Sequence, residues 1–121
     1  MLSSKSKIKP KPTFSKLKIE NPQEDFATAT DHGPIQVGDK AVYFTDFDVN
    51  YIPLSELSTI ELVLLPGACN RGSCCTHDVY FTTHAGKRVN IKVIDAKKAV
   101  NAIEHVLKLS PSITSKIPPL N

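Results

Sequence analysis

A chain of 121 residues, 40% of them hydrophobic and 22% charged, is one domain by size, with apolar side chains enough for a modest core. That composition excludes a collagen-like chain, a coiled coil and wholesale disorder, and no apolar run approaches the roughly 18 residues that would span a bilayer. The formal charge of +3 is unevenly placed: residues 1–20 carry Lys5, Lys7, Lys9, Lys11, Lys16 and Lys18 against Glu20 alone, and the remainder is mildly acidic.

Residues 1–24 hold Pro10, Pro12 and Pro22 among lysines and serines, with no strand or helix period, and read as a flexible basic arm. Met1 to Lys5 lack the apolar stretch of a signal peptide, so a cytoplasmic location is expected. Phe26 to Thr30 reads as a short first strand, and Asp31-His32-Gly33-Pro34 as a turn. Ile35 to Val37 starts the next strand, Gly38-Asp39-Lys40 turns it, and Ala41 to Thr45 follows with Val42, Tyr43 and Phe44. Tyr51-Ile52-Pro53-Leu54 is extended, and Pro53 places it at an edge or a strand end.

Leu57 to Leu65 is the next strand, with Ile60, Leu62 and Leu64 on one side. A polar, Cys-rich loop runs from Ala68 to His77. Val79 to His84 and Arg88 to Ile94 then form a hairpin around Ala85-Gly86. In its second arm Val89, Ile91 and Val93 alternate with Arg88, Asn90 and Lys92, the mark of a sheet with one buried and one wet face. Asp95 is an N-cap for a helix over 96–109, whose apolar stripe is Ala99, Val100, Ile103, Val106 and Leu107. Pro111 stops it, and residues 111–121, with Pro118-Pro119, read as a flexible tail. The expected fold is therefore mainly β, a barrel or sandwich of antiparallel strands with one C-terminal capping α-helix, spanning residues 25–110.

Ala41-Val42-Tyr43-Phe44-Thr45-Asp46 followed by Tyr51-Ile52-Pro53-Leu54, with Leu57 and Ile60 beyond, resembles the bacterial pleckstrin-homology-like domains, the group that includes GRAM-like modules. The resemblance covers about residues 26–110, and the later hairpin and closing helix complete its order. It implies a binding module without catalysis, which takes a peptide or protein, pairs with copies of itself, or meets lipid. Phosphoinositide-binding relatives place several Lys and Arg in the first hairpin loop. Here the early turns offer His32 and Lys40, so lipid affinity would have to come from the N-terminal lysines.

The cluster with most chemistry is Cys69, Cys74, Cys75 and His77. Three thiolates and an imidazole could hold tetrahedral zinc, although adjacent Cys74 and Cys75 are awkward partners for one ion. A Cys69–Cys74 or Cys69–Cys75 disulfide, a reactive thiol near Arg71 and His77, and a loop of free reduced thiols are the alternatives. Asp46 and Asp48 mimic the Asp-x-Asp of haloacid-dehalogenase-type phosphatases, but the chain lacks the alternating β-α units that chemistry is built on, and they are expected to cap a turn. A nucleophilic pairing of Cys75 with His77 or His84 has no orienting acid beside it. His105 falls on the polar face of the helix. Arginine is confined to Arg71 and Arg88, and Phe14 is the one aromatic among the N-terminal lysines, which argues against nucleic acid.

Three functions follow as expectations. The first is a non-enzymatic module that binds a protein or peptide at a sheet edge or beside the helix, with self-association as its symmetric version. The second is a peripheral membrane adaptor, with Lys5, Lys7, Lys9, Lys11, Lys16 and Lys18 facing an anionic leaflet. The third is a small metal or redox sensor built on the Cys loop.

Overall fold

The computed structural model describes residues 8–45, 48–64 and 76–119. Its strands are β1 (Lys11–Pro12), β2 (Thr30–His32), β3 (Ile35–Val37), β4 (Ala41–Thr45), β5 (Val49–Pro53), β6 (Leu57–Val63), β7 (His77–Thr83), β8 (Arg88–Val93) and β9 (Thr114–Lys116). Two α-helices accompany them, α1 (Pro22–Ala27) and α2 (Ala96–Leu109), with a 3₁₀ turn at Leu54–Glu56. One sheet has the order β1-β5-β4-β3-β2 and the other β8-β7-β6-β9. The chain is thus mainly β with a C-terminal helix, as its patterning predicts.

Two features correct the expected barrel or sandwich of antiparallel strands. The described strands form two separate sheets that do not close into a barrel. Each sheet is mixed, because β1 runs parallel to β5 and β9 parallel to β6. The parallel strands come from the two ends of the chain, which the sequence reading assigns to an arm and a tail. Lys11 pairs with Asn50 and Pro12 with Tyr51, and Phe14 and Ile19 pack against buried clusters. At the other end Ile113 is buried, and Thr114 to Lys116 pair with Thr59 to Glu61. A few apolar residues in an otherwise polar stretch are enough to dock it when they meet an uncovered sheet face, and periodicity does not register so short a segment.

A third correction concerns Phe26 to Thr30. The chain is helical from Pro22 to Ala27, and only Thr30 enters β2. Pro22 opens α1, and Glu24 and Asp25 lie in its first turn, where proline's fixed φ and acidic side chains suit a helix start.

The first sheet is buried on both faces. In β4, Val42 and Phe44 face the main core, while Ala41 and Tyr43 join Phe26, Ala29, Val49 and Tyr51 in a second cluster beneath α1. That double cover explains the continuous apolar run of β4. The second sheet is one-sided. In β6 Leu57, Ile60 and Leu62 are buried, and in β7 Val79 and Phe81. The sheets meet through Phe44 and Phe81, whose ring centroids lie 4.9 Å apart. Helix α2 packs on β2 and β3 of one sheet and β6 of the other, and buries Ala99, Ala102, Ile103 and Val106. Asp95 caps it as predicted, accepting from the Lys97 and Lys98 amides at 3.0 and 3.3 Å.

One buried carboxylate joins α1 to the sheet it covers. Asp25 accepts from the Asp39 amide (2.9 Å), the Lys40 amide (3.2 Å) and the Tyr43 hydroxyl (2.8 Å). Burial, reinforced by the hydrogen bond to Asp25, holds the Tyr43 phenol far above the ordinary phenol range. Gly38 sits against this carboxylate so closely that any Cβ there would collide with it. The substitution Gly38→Ala is therefore expected to cost about 1–3 kcal/mol, the usual penalty for overpacking a filled site. Urea denaturation should show a lower midpoint, and an unchanged midpoint would contradict the tight fit.

Candidate peptide-docking edge

Strand β8 borders the second sheet, and among the described residues no strand pairs with its outer side. Its register against β7 sets Val89 opposite Phe81, Ile91 opposite Val79 and Val93 opposite His77. The hairpin closes with the Thr83 amide donating to the Lys87 carbonyl at 2.8 Å. By antiparallel alternation, Val89, Ile91 and Val93 then bond to β7, and Arg88, Asn90 and Lys92 turn their main-chain N–H and C=O groups outward. The side chains follow the predicted alternation: Arg88, Asn90 and Lys92 are exposed, Val89 and Ile91 half-buried and Val93 buried.

Two depressions flank this edge. One, of about 420 Å³, is lined by Gly33, Pro34, Lys92, Ile94, Asp95 and Lys98. The other, of about 370 Å³, is lined by Pro34, Phe44, Thr45, Asn90, Ile91 and Lys92. Pro34 and Lys92 line both, so the two form one groove between β8 and the β2–β3–β4 end of the first sheet. Apolar surface dominates it, and Ile94 is 75% exposed, the most open large hydrophobic side chain among the described residues.

Polar contacts fix both walls. On one side the buried Gln36 amide donates to Asp31 Oδ1 (3.0 Å) and the Gly33 carbonyl (2.7 Å), and its oxygen accepts from the Thr45 hydroxyl (2.6 Å). The Thr45 amide donates to the Pro34 carbonyl at 3.1 Å. These bonds hold the Gly33-Pro34 turn, where Gly33 takes the left-handed φ of 82°. On the other side Lys92 Nζ bonds Asp78 Oδ1 at 2.6 Å, and Arg88 stacks over Tyr80, 4.0 Å from the ring centroid. The Lys92 ammonium beside Asp78 draws its carboxyl below the usual carboxylate range.

No protein-family model matches the chain, and no curated protein matches it.

The residues singled out from the sequence lie elsewhere. Cys69, Cys74 and Cys75 fall outside the described residues, as do Lys5 and Lys7. His77 is half-buried at the start of β7. Among the described residues, no group of three or more His, Cys, Asp or Glu is placed to hold a metal ion. Lys9, Lys11, Lys16 and Lys18 are all exposed. No helix among the described residues is long and apolar enough to cross a membrane. Of the phosphatase-like pair, Asp48 is exposed and Asp46 lies outside the described residues.

Sequence reasoning expected a free sheet edge without saying which strand would supply it. Ile94 carried a signal: an apolar residue immediately before an N-cap commonly packs onto the first turn, and this one stays open. The reading also missed a contact between distant histidines. His32 Nε2 and His105 Nδ1 lie 3.2 Å apart with the rings edge-on, one N–H shared between them. This joins β2 to α2 near the groove's Gly33 end.

Burial and then the neighbouring His105 lower the His32 pKa, against a smaller opposing pull from Asp31. Above the ordinary value of 6.5, His32 is neutral folded or unfolded. As pH falls through that value, the unfolded chain takes a proton that the fold resists. Stability should decline there and level off below the folded pKa. Urea midpoints between about pH 8 and pH 5 should show this decline, and His32→Gln should flatten it. An equal decline in the variant would show that other groups are responsible.

Proposed function

We propose that this chain is a non-enzymatic interaction module, of pleckstrin-homology-like type, that binds an extended peptide segment of a partner protein by adding it as a strand to β8. The observation that carries the reading is the coincidence of an unpaired strand edge with an apolar groove along it. Strand addition uses main-chain hydrogen bonds for affinity and side-chain pockets for selectivity. Arg88, Asn90 and Lys92 supply the first, and the hollow between Phe44, Ile91, Pro34 and Ile94 supplies the second. The walls are braced before a ligand arrives, which lowers the ordering cost of binding.

Asn90→Pro tests this directly. It removes an outward N–H and leaves the bonds between β7 and β8 untouched, a position where an edge strand tolerates proline. In the full chain, a short peptide with valines at alternate positions should perturb the Arg88, Asn90 and Lys92 amide resonances, with an affinity between about 10 µM and 1 mM. The variant should stay folded and lose the response. Binding that survives in Asn90→Pro, or that maps to another surface, would sink the proposal.

The exposed lysines at positions 9, 11, 16 and 18 favour a second reading, a peripheral attachment to anionic membrane. Each lysine near such a surface contributes about 1 kcal/mol. The attachment would not need a free arm, because β1 and Ile19 hold this segment against the first sheet. Replacing the four lysines by Gln should abolish co-flotation with phosphatidylserine vesicles and leave the fold intact. Equal flotation of both proteins, or none by the parent, would exclude this role.

A further inference from the structure

The charges along the same edge bear on what can occupy it, and the inference rests on the strand-addition reading above. We infer that the natural occupant of the β8 edge is an acidic extended segment of a different protein, not a second copy of this chain. In the antiparallel register centred on Asn90, two copies of β8 would overlap over residues 88–92. Arg88 of each would then face Lys92 of the other. Like charges directly opposite across a strand pair are destabilising, so the edge resists self-pairing in that register, and the cations on it are the kind that guard edge strands.

The same cations suit an incoming strand with carboxylates at two positions four residues apart, the spacing of Arg88 and Lys92. Both have internal partners, and both keep capacity for more. Arg88 meets Glu61 at 3.5 Å with its side chain 54% exposed, and Lys92 meets Asp78 with its side chain 59% exposed. A guanidinium has five N–H donors and an ammonium three, so donors remain for a ligand. Lys98 adds a cation from the α2 wall. The one acid lining the groove, Asp95, already accepts the Lys97 and Lys98 amides. An acidic strand would therefore meet three cations that keep free donors, beside three carboxylates, Glu61, Asp78 and Asp95, that are each already engaged.

Three acetylated peptides separate the outcomes. They share alternating valines and carry Glu, Gln or Lys at the two positions four apart. Titrated into the isotope-labelled full chain, the Glu peptide should bind about tenfold more tightly than the Gln peptide, and the Lys peptide more weakly than either. Its advantage should shrink with added salt. Lys98→Glu reverses the groove charge, and Glu at this third helical position favours the fold as the partner of the N-cap. It should weaken the Glu peptide about three- to tenfold and leave the Gln peptide unchanged.

Equal affinities with shifts still confined to β8 would overturn the acidic occupant and leave strand addition standing. No β8 response to any peptide would overturn strand addition and this inference with it. Concentration-dependent β8 shifts without peptide would identify a second copy as the occupant.

Discussion

The Asp25 carboxylate is the contact on which the rest of the molecule depends. It is buried, it belongs to a six-residue helix, and it accepts from two amides of the β3–β4 turn and from the Tyr43 hydroxyl. A buried carboxylate without such donors would be costly, and with them it becomes a rigid joint. Through that joint α1 lies on the outer face of the first sheet and covers Tyr43 and Ala41. Gly38 is small enough to let the turn approach the oxygen atoms. The sheet can then be apolar on both faces and still keep both from water.

From that double cover follows the division of labour between the sheets. The first is an interior layer, with the N-terminal end of the described chain docked on its β5 side, while the C-terminal β9 docks on the second sheet. The second has one wet face, where Lys92 bonds Asp78 and Arg88 stacks on Tyr80. Among the described residues the second offers, at β8, a border with no strand on its outer side beside a hollow, because β8 runs through Ile94 into the N-cap of α2. The chain leaves the sheet there, crosses to the inner side and does not cover its own edge. The Gln36 network holds the opposite wall at a fixed distance, so the groove is a consequence of how two sheets and one helix meet.

Strong periodicity was readable. The alternation of Val89, Ile91 and Val93, the capped helix from Ala96 to Leu109, and the boundaries of β4 all stand as the residues imply. Short elements were not. Lys11-Pro12 and Thr114 to Lys116 are strands because a neighbouring edge was open to them, and neither carries a pattern of its own. Pro22-Gln23-Glu24-Asp25 did carry helix-start chemistry, which the strand-forming look of Phe26 to Thr30 obscured. The candidate site divides in the same way. That a sheet edge would be available was inferable, since an open sheet must have one. That it would be β8 depended on which strands the two termini cover.

Local sequence alone determined the hairpin's inside and outside, the helix and its cap, and the tight turns, because each depends on residues within a few positions of one another. Tertiary structure decided which edge stays free, that Pro34 and Ile94 line one groove, and that His32 meets His105. Those contacts join residues 60 and 73 positions apart along the chain. Their meeting is set by the packing of whole layers, and no short-range pattern encodes that packing.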